Sequence, residues 1–268
     1  MMKKNRETAK SAVATALGVL ALIPLLLLST LLTGCPAKSP ASPAGSQGPT
    51  NTPLPTSTPI PGSSWTARTL PGSSLDWISV TYGNGVFVAL AYNSAVAATS
   101  PDGITWTART LPVTENWESV AYGYAEFLAV ANNSVTMATS PDGITWTSQT
   151  SQSFGNNTVA YGNGVFSTVI YDTAEAQTSP TGATWTTQTL PSTQNWISEV
   201  FGNVKFVAVA SNSTAAATSP DGSTWTAQTL PGSAENWSSV AYGNGEFVAV
   251  ASNNVTEAYS PDGATWTA

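Results

Sequence analysis

Seven residues, Ser-Pro-Asp-Gly-x-Thr-Trp, return along this chain at a nearly fixed interval: Ser100–Trp106, Ser140–Trp146, Ser219–Trp225 and Ser260–Trp266. Another copy, Ser179–Trp185, carries Thr181 where the others have Asp, and a worn one ends at Trp65. Tryptophans 65, 106, 146, 185, 225 and 266 stand 41, 40, 39, 40 and 41 residues apart. A period of about 40–45 residues is the size of one four-stranded propeller blade, a unit that cannot bury its apolar face alone and so stacks on its neighbours.

The interior of each repeat reads as four short strands. In the second unit these are Trp117–Gly123, Glu126–Ala131, Ser134–Ser140 and Thr145–Thr150, with Gly, Asn, Asp or Pro at the junctions. No stretch beyond residue 35 keeps a helical apolar period. Tyr-Gly-Asn-Gly at 82–85, 161–164 and 242–245 supplies the Asn-Gly pair that tight hairpins require. Phe87, Phe127, Phe166, Phe206 and Phe247 alternate with small residues, so that a large ring opposes Ala when sheets stack. In the seven-residue turn, Pro fixes one corner and Gly takes a left-handed one. The Asp can accept backbone N–H groups of the same turn. The expected fold is therefore all-β, a propeller of five four-stranded blades at 75–110, 116–151, 155–190, 195–230 and 235–268. The chain holds five copies of the first three strands and six of the fourth, counting Ser64–Leu70. That extra strand could close the ring on the last blade; a partial or open six- or seven-unit array is the alternative.

Ser-Pro-Asp-Gly-x-Thr-Trp resembles the Asp-box, or BNR repeat, shortened by one residue between Asp and Gly. That motif sits on the turn between the third and fourth strands of blades in sialidases, sortilin-like receptors and photosystem-assembly propellers. The resemblance spans residues 63–268. It implies a structural role for Asp102, Trp106, Asp142, Trp146, Asp221, Trp225, Asp262 and Trp266, at the rim and away from any ligand.

Ahead of the repeats lie an address and a tether. Lys3, Lys4, Arg6 and Lys10 precede an apolar run from Ala12 to Leu32. The run ends in Leu32-Thr33-Gly34-Cys35, which resembles a bacterial lipobox; residues 1–34 would then be a lipoprotein signal peptide and Cys35 the acylated N-terminus. An uncleaved transmembrane anchor is the alternative, since about 20 apolar residues can span a bilayer. The chain's one Cys stands where the lipobox needs it, which favours lipidation at the outer membrane or cell surface. Residues 35–62 are rich in Pro, Ser and Thr and read as an extended linker.

Beyond Cys35 there are four basic residues against fourteen carboxylates, a net charge of −10. Such a surface repels phosphate backbones, so no nucleic-acid partner is expected. The chain has no His, and no Cys after Cys35, which removes Ser-His-Asp, Cys-His and His-based zinc sites. The arginine triad that the sialidase resemblance would call for has only Arg68 and Arg109, both in fourth strands. Asp76, Glu115 and Glu235 are the carboxylates a glycosidase pair could use, and they read instead as solvated loop charges. One carboxylate per turn is too few for Ca²⁺. Neither cofactor, metal nor catalytic residue is expected, and the chain reads as a non-enzymatic binding or scaffold module for a protein or glycan.

Its candidate binding face carries the variable interblade loops. There lie Asp76, Glu115 and Glu235, and an amide or carboxylate six residues after each Phe: Asn93, Asn133, Asp172, Asn212 and Asn253. Trp77, Trp117, Trp196 and Trp237 begin the adjoining first strands. Amides beside indoles suit sugars, making lectin-like carbohydrate binding the alternative function. Equally, Asn and Asp are good turn residues and a Trp can plug a blade junction.

Overall fold

The structure is a computed structural model that describes residues 65–152, 155, 158–252 and 255–268. Among the described residues there is no helix. The signal peptide and linker expectations lie outside them.

The first unit is an antiparallel meander of β1 (Asp76–Gly83), β2 (Val86–Tyr92), β3 (Ser94–Ser100) and β4 (Thr107–Glu115). The second repeats it with β5 (Trp117–Gly123), β6 (Glu126–Ala131), β7 (Thr136–Ser140) and β8 (Thr147–Thr150). In the third, β9 (Ala160–Gly162), β10 (Val165–Val169) and β11 (Tyr171–Ser179) pair with the first half of β12 (Thr186–Gly202). The second half of β12 opens the fourth unit and continues into β13 (Lys205–Ser213), β14 (Ala215–Ser219) and β15 (Thr226–Thr229). The last unit has β16 (Glu235–Gly243), β17 (Glu246–Ala251) and β18 (Glu257–Ser260), with Thr267 bridging Tyr259 as the start of a fourth strand. This is the all-β propeller architecture that the repeat period dictates.

Each hairpin between the first two strands turns through left-handed backbone, as at Asn84 (φ 47°) and Gly85 (φ 77°). Asn tolerates that region and Gly prefers it, which explains the recurring pair. Apolar residues on the two faces of each sheet then meet those of the next unit. Trp117, Val120 and Phe127 of the second unit pack on Val88 and Leu90 of the first. Trp237, Val240 and Phe247 of the fifth pack likewise on Val207 and Val209 of the fourth. Burying such side chains contributes roughly 1.5–3 kcal/mol each.

Three contacts recur where one unit meets the next. Tyr122 lies on Gly83, Tyr161 on Gly123, Phe201 on Gly162 and Tyr242 on Gly202, each so close that a Cβ on the glycine would strike the ring. Asn84 Nδ2 donates to Pro141 O at 3.2 Å, Asn163 to Pro220 at 3.2 Å and Asn203 to Pro261 at 3.1 Å. The Val120, Val159 and Val240 amides donate to Ser79, Ser119 and Ser198 Oγ at 3.1, 3.2 and 3.1 Å.

Among the described residues the two hydrogen bonds do not recur between the fifth unit and the first: Asn244 makes no bond to Pro101 and Ser239 none to the Val80 amide, and Tyr82 is 56% exposed. Nor do Trp65–Leu70, the described part of the expected closing strand, close the ring. Trp65–Leu70 form no strand and Trp65 is 74% exposed, while the edge of β18 is already bridged by Thr267 from its own unit.

Candidate functional site

Two places in this frame hold chemistry beyond packing: the axis, and the face where the units are connected. At the axis, residues from the first strand region of all five units line a cavity of about 320 Å³. Its walls are Ser, Thr, Ala and Val almost throughout, because the first strands must stand close around the axis.

Tyr122, Tyr161 and Phe201 add rings to this lining, and Glu199 is the one charged residue in it. It occupies the column of Val80, Val120, Val159 and Val240 and, like three of them, is buried, with 6% of its surface exposed. Opposite it Ser167 stands in the column of Val88, Leu128, Val207 and Val248. The junction between units three and four therefore replaces an aliphatic pair with a carboxyl and a hydroxyl. Both Glu199 carboxyl oxygens and Ser167 Oγ lack a hydrogen-bond partner. Burial pushes the Glu199 pKa up to about 8, against a slight opposing pull from the neighbouring Ser167 hydroxyl, which stays outside hydrogen-bonding geometry. Glu199 is thus a neutral acid at pH 7. A comparison of the five units in the sequence exposes it, because it is the one charged residue in a column that is otherwise valine.

On the connecting face the units are knitted by backbone. β12 runs unbroken from the outer edge of unit three to the axis of unit four, and β13 pairs with β16 through Ser211↔Asn236 and Ser213↔Glu235. Asn132 N donates to Asn116 O at 2.8 Å and Ser252 N to Asn236 O at 2.9 Å. Connections closed in this way make a rigid platform.

The residues expected to bind from this face divide into groups. Trp117, Trp196 and Trp237 are wholly buried between units, so no indole face is left for a sugar to stack on; Trp77 is half-buried. A bulge after each of these tryptophans, between Trp117 and Ser119 for instance, breaks the strict alternation and turns the ring inward onto the side of Val120. Glu115 Oε1 accepts hydroxyl bonds from Ser134 and Thr136, both at 3.0 Å, and so ties the first unit to the second. Glu235 Oε1 accepts from Ser233 at 3.0 Å, and Asp76 is engaged as well. The loop carboxylates are therefore not free solvated charges.

Asn93, Asn133, Asp172 and Asn212 remain, exposed at the tips between second and third strands. Their φ angles are 50°, 55°, 59° and 55°, so the turn itself selects Asn or Asp there. Their side chains nevertheless project from equivalent points of the platform. Asn253 lies outside the described residues.

The Ser-Pro-Asp-Gly turns, on the opposite face, use their polar atoms internally. Asp142 Oδ1 accepts from the amides of Ile144 and Thr145 at 2.8 and 2.9 Å and from Ser140 Oγ at 3.1 Å. Asp102, Asp221 and Asp262 repeat the pattern. Amide donation, from Thr105 and Ile104 to Asp102 and from Thr145 above all to Asp142, holds these carboxyls below the usual range. Each Trp of the turn donates its indole N–H back to the turn glycine, Trp106 to Gly103 O at 3.2 Å and Trp146 to Gly143 O at 3.1 Å, with Trp225 and Trp266 alike. Among the described residues no group of three His, Cys, Asp or Glu could hold a metal.

No family model matches this chain, and no curated protein matches it. Solved structures do. A streptogramin B lyase superposes with a TM-score of 0.64 at 11% identity, covering 73% of this chain and 68% of that one. YCF48 bound to D1 peptide gives 0.58 at 15% identity, covering 76% and 70%. The GH74 enzyme of Niastella koreensis gives 0.57 at 17% identity over 72% of this chain, which spans only 30% of that protein. At these identities the likeness establishes the propeller fold. It also corrects the expectation that the chain is no enzyme: a lyase and a glycoside hydrolase are built on this frame, so lacking His and Cys excludes particular chemistries and not catalysis.

Proposed function

We propose that this chain is a binding propeller of the Asp-box type, tethered to the bacterial envelope through a lipidated Cys35 and receiving a polar ligand on its connecting face. The supporting observation is the set of exposed tips Asn93, Asn133, Asp172 and Asn212, repeated on a platform whose own backbone bonds are closed. A peptide segment of a partner protein fits these side chains better than a glycan, because three of the four indoles that would stack on sugar, Trp117, Trp196 and Trp237, are buried. Each tip alone is weak, and equivalent tips on a clustered lipoprotein gain by avidity.

Glycine at all four tips tests this reading, since it keeps the positive φ and removes the side chains. Retention on envelope protein or cell-wall preparations that capture the wild type should fall at least tenfold with the melting curve unchanged. Unchanged retention would move the site elsewhere, and capture by a glycan array alone would select the lectin alternative. Alkyne fatty acid should label the wild type and miss Cys35→Ser.

A second reading is favoured by Glu199. A carboxyl kept protonated in the wall of an axial cavity is the equipment of a proton donor. Turnover of a polysaccharide substrate that Glu199→Gln abolishes, with the fold intact, would establish it.

A further inference from the structure

The turn of the third unit, Ser179–Trp185, lacks the group that fills the other four. In the second unit Asp142 Oδ1 gathers three donors at one point, the Ile144 and Thr145 amides at 2.8 and 2.9 Å and the Ser140 hydroxyl at 3.1 Å. Asp102, Asp221 and Asp262 do the same in their turns. In the third unit Thr181 stands at that position, and its side chain is one bond too short to carry an oxygen to the point where the donors meet. Thr181 Oγ1 accepts one long bond, from Ala183 N at 3.4 Å, and among the described residues the Thr184 amide has no partner. The turn nevertheless keeps the shape of its siblings. Ser179 Oγ accepts from Gly182 N at 2.8 Å, and Trp185 Nε1 donates to Gly182 O at 3.0 Å. The Ser179 hydroxyl proton, however, meets no carboxylate of its own turn.

The neighbouring hairpin departs from the repeat at the same place. Asn84, Asn163 and Asn203 each donate to a proline carbonyl in the turn of the next unit, Pro141, Pro220 and Pro261. Their counterpart toward Pro180 is Tyr124, and among the described residues no side chain donates to the Pro180 carbonyl. Tyr124 and Ala125 hold left-handed φ angles of 50° and 60°, a conformation that Asn-Gly adopts at lower cost. Tyr124 is 58% exposed, so burial does not account for the choice. Two departures, on two different units, thus meet at one point of the rim.

We propose that the Ser179–Trp185 turn is a docking site for an acidic side chain on a peptide segment of a partner protein, with Tyr124 as the wall against which that segment lies. The carboxylate accepts from the Ala183 and Thr184 amides and the Ser179 and Thr181 hydroxyls, as Asp142 Oδ1 does within its own turn. A backbone N–H of the same segment donates to Pro180 O, as Asn84 Nδ2 does to Pro141 O. Hydrogen bonds to a carboxylate are roughly twice as strong as neutral ones, and backbone nests recur as carboxylate receptors. Of the five turns this is also the one with no negative charge of its own to repel such a ligand. The site lies on the face opposite Asn93, Asn133, Asp172 and Asn212, and so stands independently of the function proposed for them.

The test follows backbone amide shifts of the isotopically labelled full chain by NMR, at pH 7 and constant ionic strength, with two probes: sodium acetate and the blocked dipeptide acetyl-Asp-Ala-amide. The Ala183 and Thr184 amides should shift saturably with both, whereas those of Ile144 and Thr145, already held by Asp142, should not. The dipeptide should bind at least tenfold more tightly than acetate, because it alone reaches Pro180 O and Tyr124. Thr181→Asp should abolish both titrations while raising the melting temperature, which separates lost binding from lost folding. Tyr124→Asn, which restores the clamp on Pro180, should bring the dipeptide down to the level of acetate. Absence of saturable shifts at Ala183 and Thr184 overturns the proposal, as do equal shifts in all five turns. Acetate binding with no gain from the dipeptide overturns the assignment to a peptide and leaves a receptor for small carboxylates in its place.

Discussion

Tyr122 rests on the Cα of Gly83 with no room for a side chain between them, and this contact sets how closely the second unit approaches the first. Gly83 itself is in extended backbone, so its requirement is space and not conformation. Gly83→Ala should cost about 2–3 kcal/mol by forcing the ring and sheet apart. The denaturant midpoint of Gly83→Ala against wild type checks this; an unchanged midpoint would show that the ring moves aside without cost.

Thr181 stands where four other turns have Asp, and it accepts one long amide bond, from Ala183 at 3.4 Å. Asp142 in the same position accepts two amides at 2.8 and 2.9 Å. Thr181→Asp should therefore stabilise the chain by about 1 kcal/mol at pH 7, the net worth of an added turn bond. Asp142→Ala should cost about 1–2 kcal/mol, since two amides lose their acceptor. Thermal melts would detect both, with opposite signs.

Val204 holds a left-handed φ of 58° at a hairpin corner where other units have Gly85, Gly164 and Gly245, and its side chain is 79% exposed. Nothing in packing compensates a β-branched residue there. Val204→Gly should stabilise by about 1 kcal/mol or more through relief of that strain. A fall in melting temperature would show that the exposed side chain has a contact of its own.

Period, strands and turns were legible because each is set by local chemistry: Asn-Gly by φ, Ser-Pro-Asp-Gly by its own hydrogen bonds, and Phe127 and its counterparts by the face they share. The candidate site was less so. Trp117 looks available at the start of a strand, and only the bulge before Ser119 shows that it turns inward. Glu115 and Glu235 read as loop charges until the hydroxyls around them are placed. Glu199 was readable in principle from the valines in its column, yet its lack of partners depends on what the facing blade supplies, which is a tertiary fact. How the last described unit stands to the first likewise depends on how far each unit turns about the axis, and no local pattern encodes that angle.

Glu199 gives the fold a pH dependence of unusual sign. Its folded pKa is raised to about 8 from 4.5. Between those values the unfolded chain has lost a proton that the native chain keeps, so stability falls as pH rises from about 5 to 8 and levels off above. At about 1.4 kcal/mol per pKa unit the loss by pH 7 is on the order of 3 kcal/mol. The turn aspartates act in the other direction: their folded pKa values lie below 3.8, so their contribution is complete above that value and disappears as acid protonates them. The melting temperature should therefore peak near pH 4–5, in the interval between these two sets of groups. Glu199→Val should abolish the decline toward pH 8 and raise stability there, because an aliphatic side chain suits the column. Glu199→Gln should flatten the profile without that gain, since its amide would be as unpartnered as the acid. A wild-type melting temperature independent of pH between 5 and 8 would show that the Glu199 carboxyl is solvated or paired in solution.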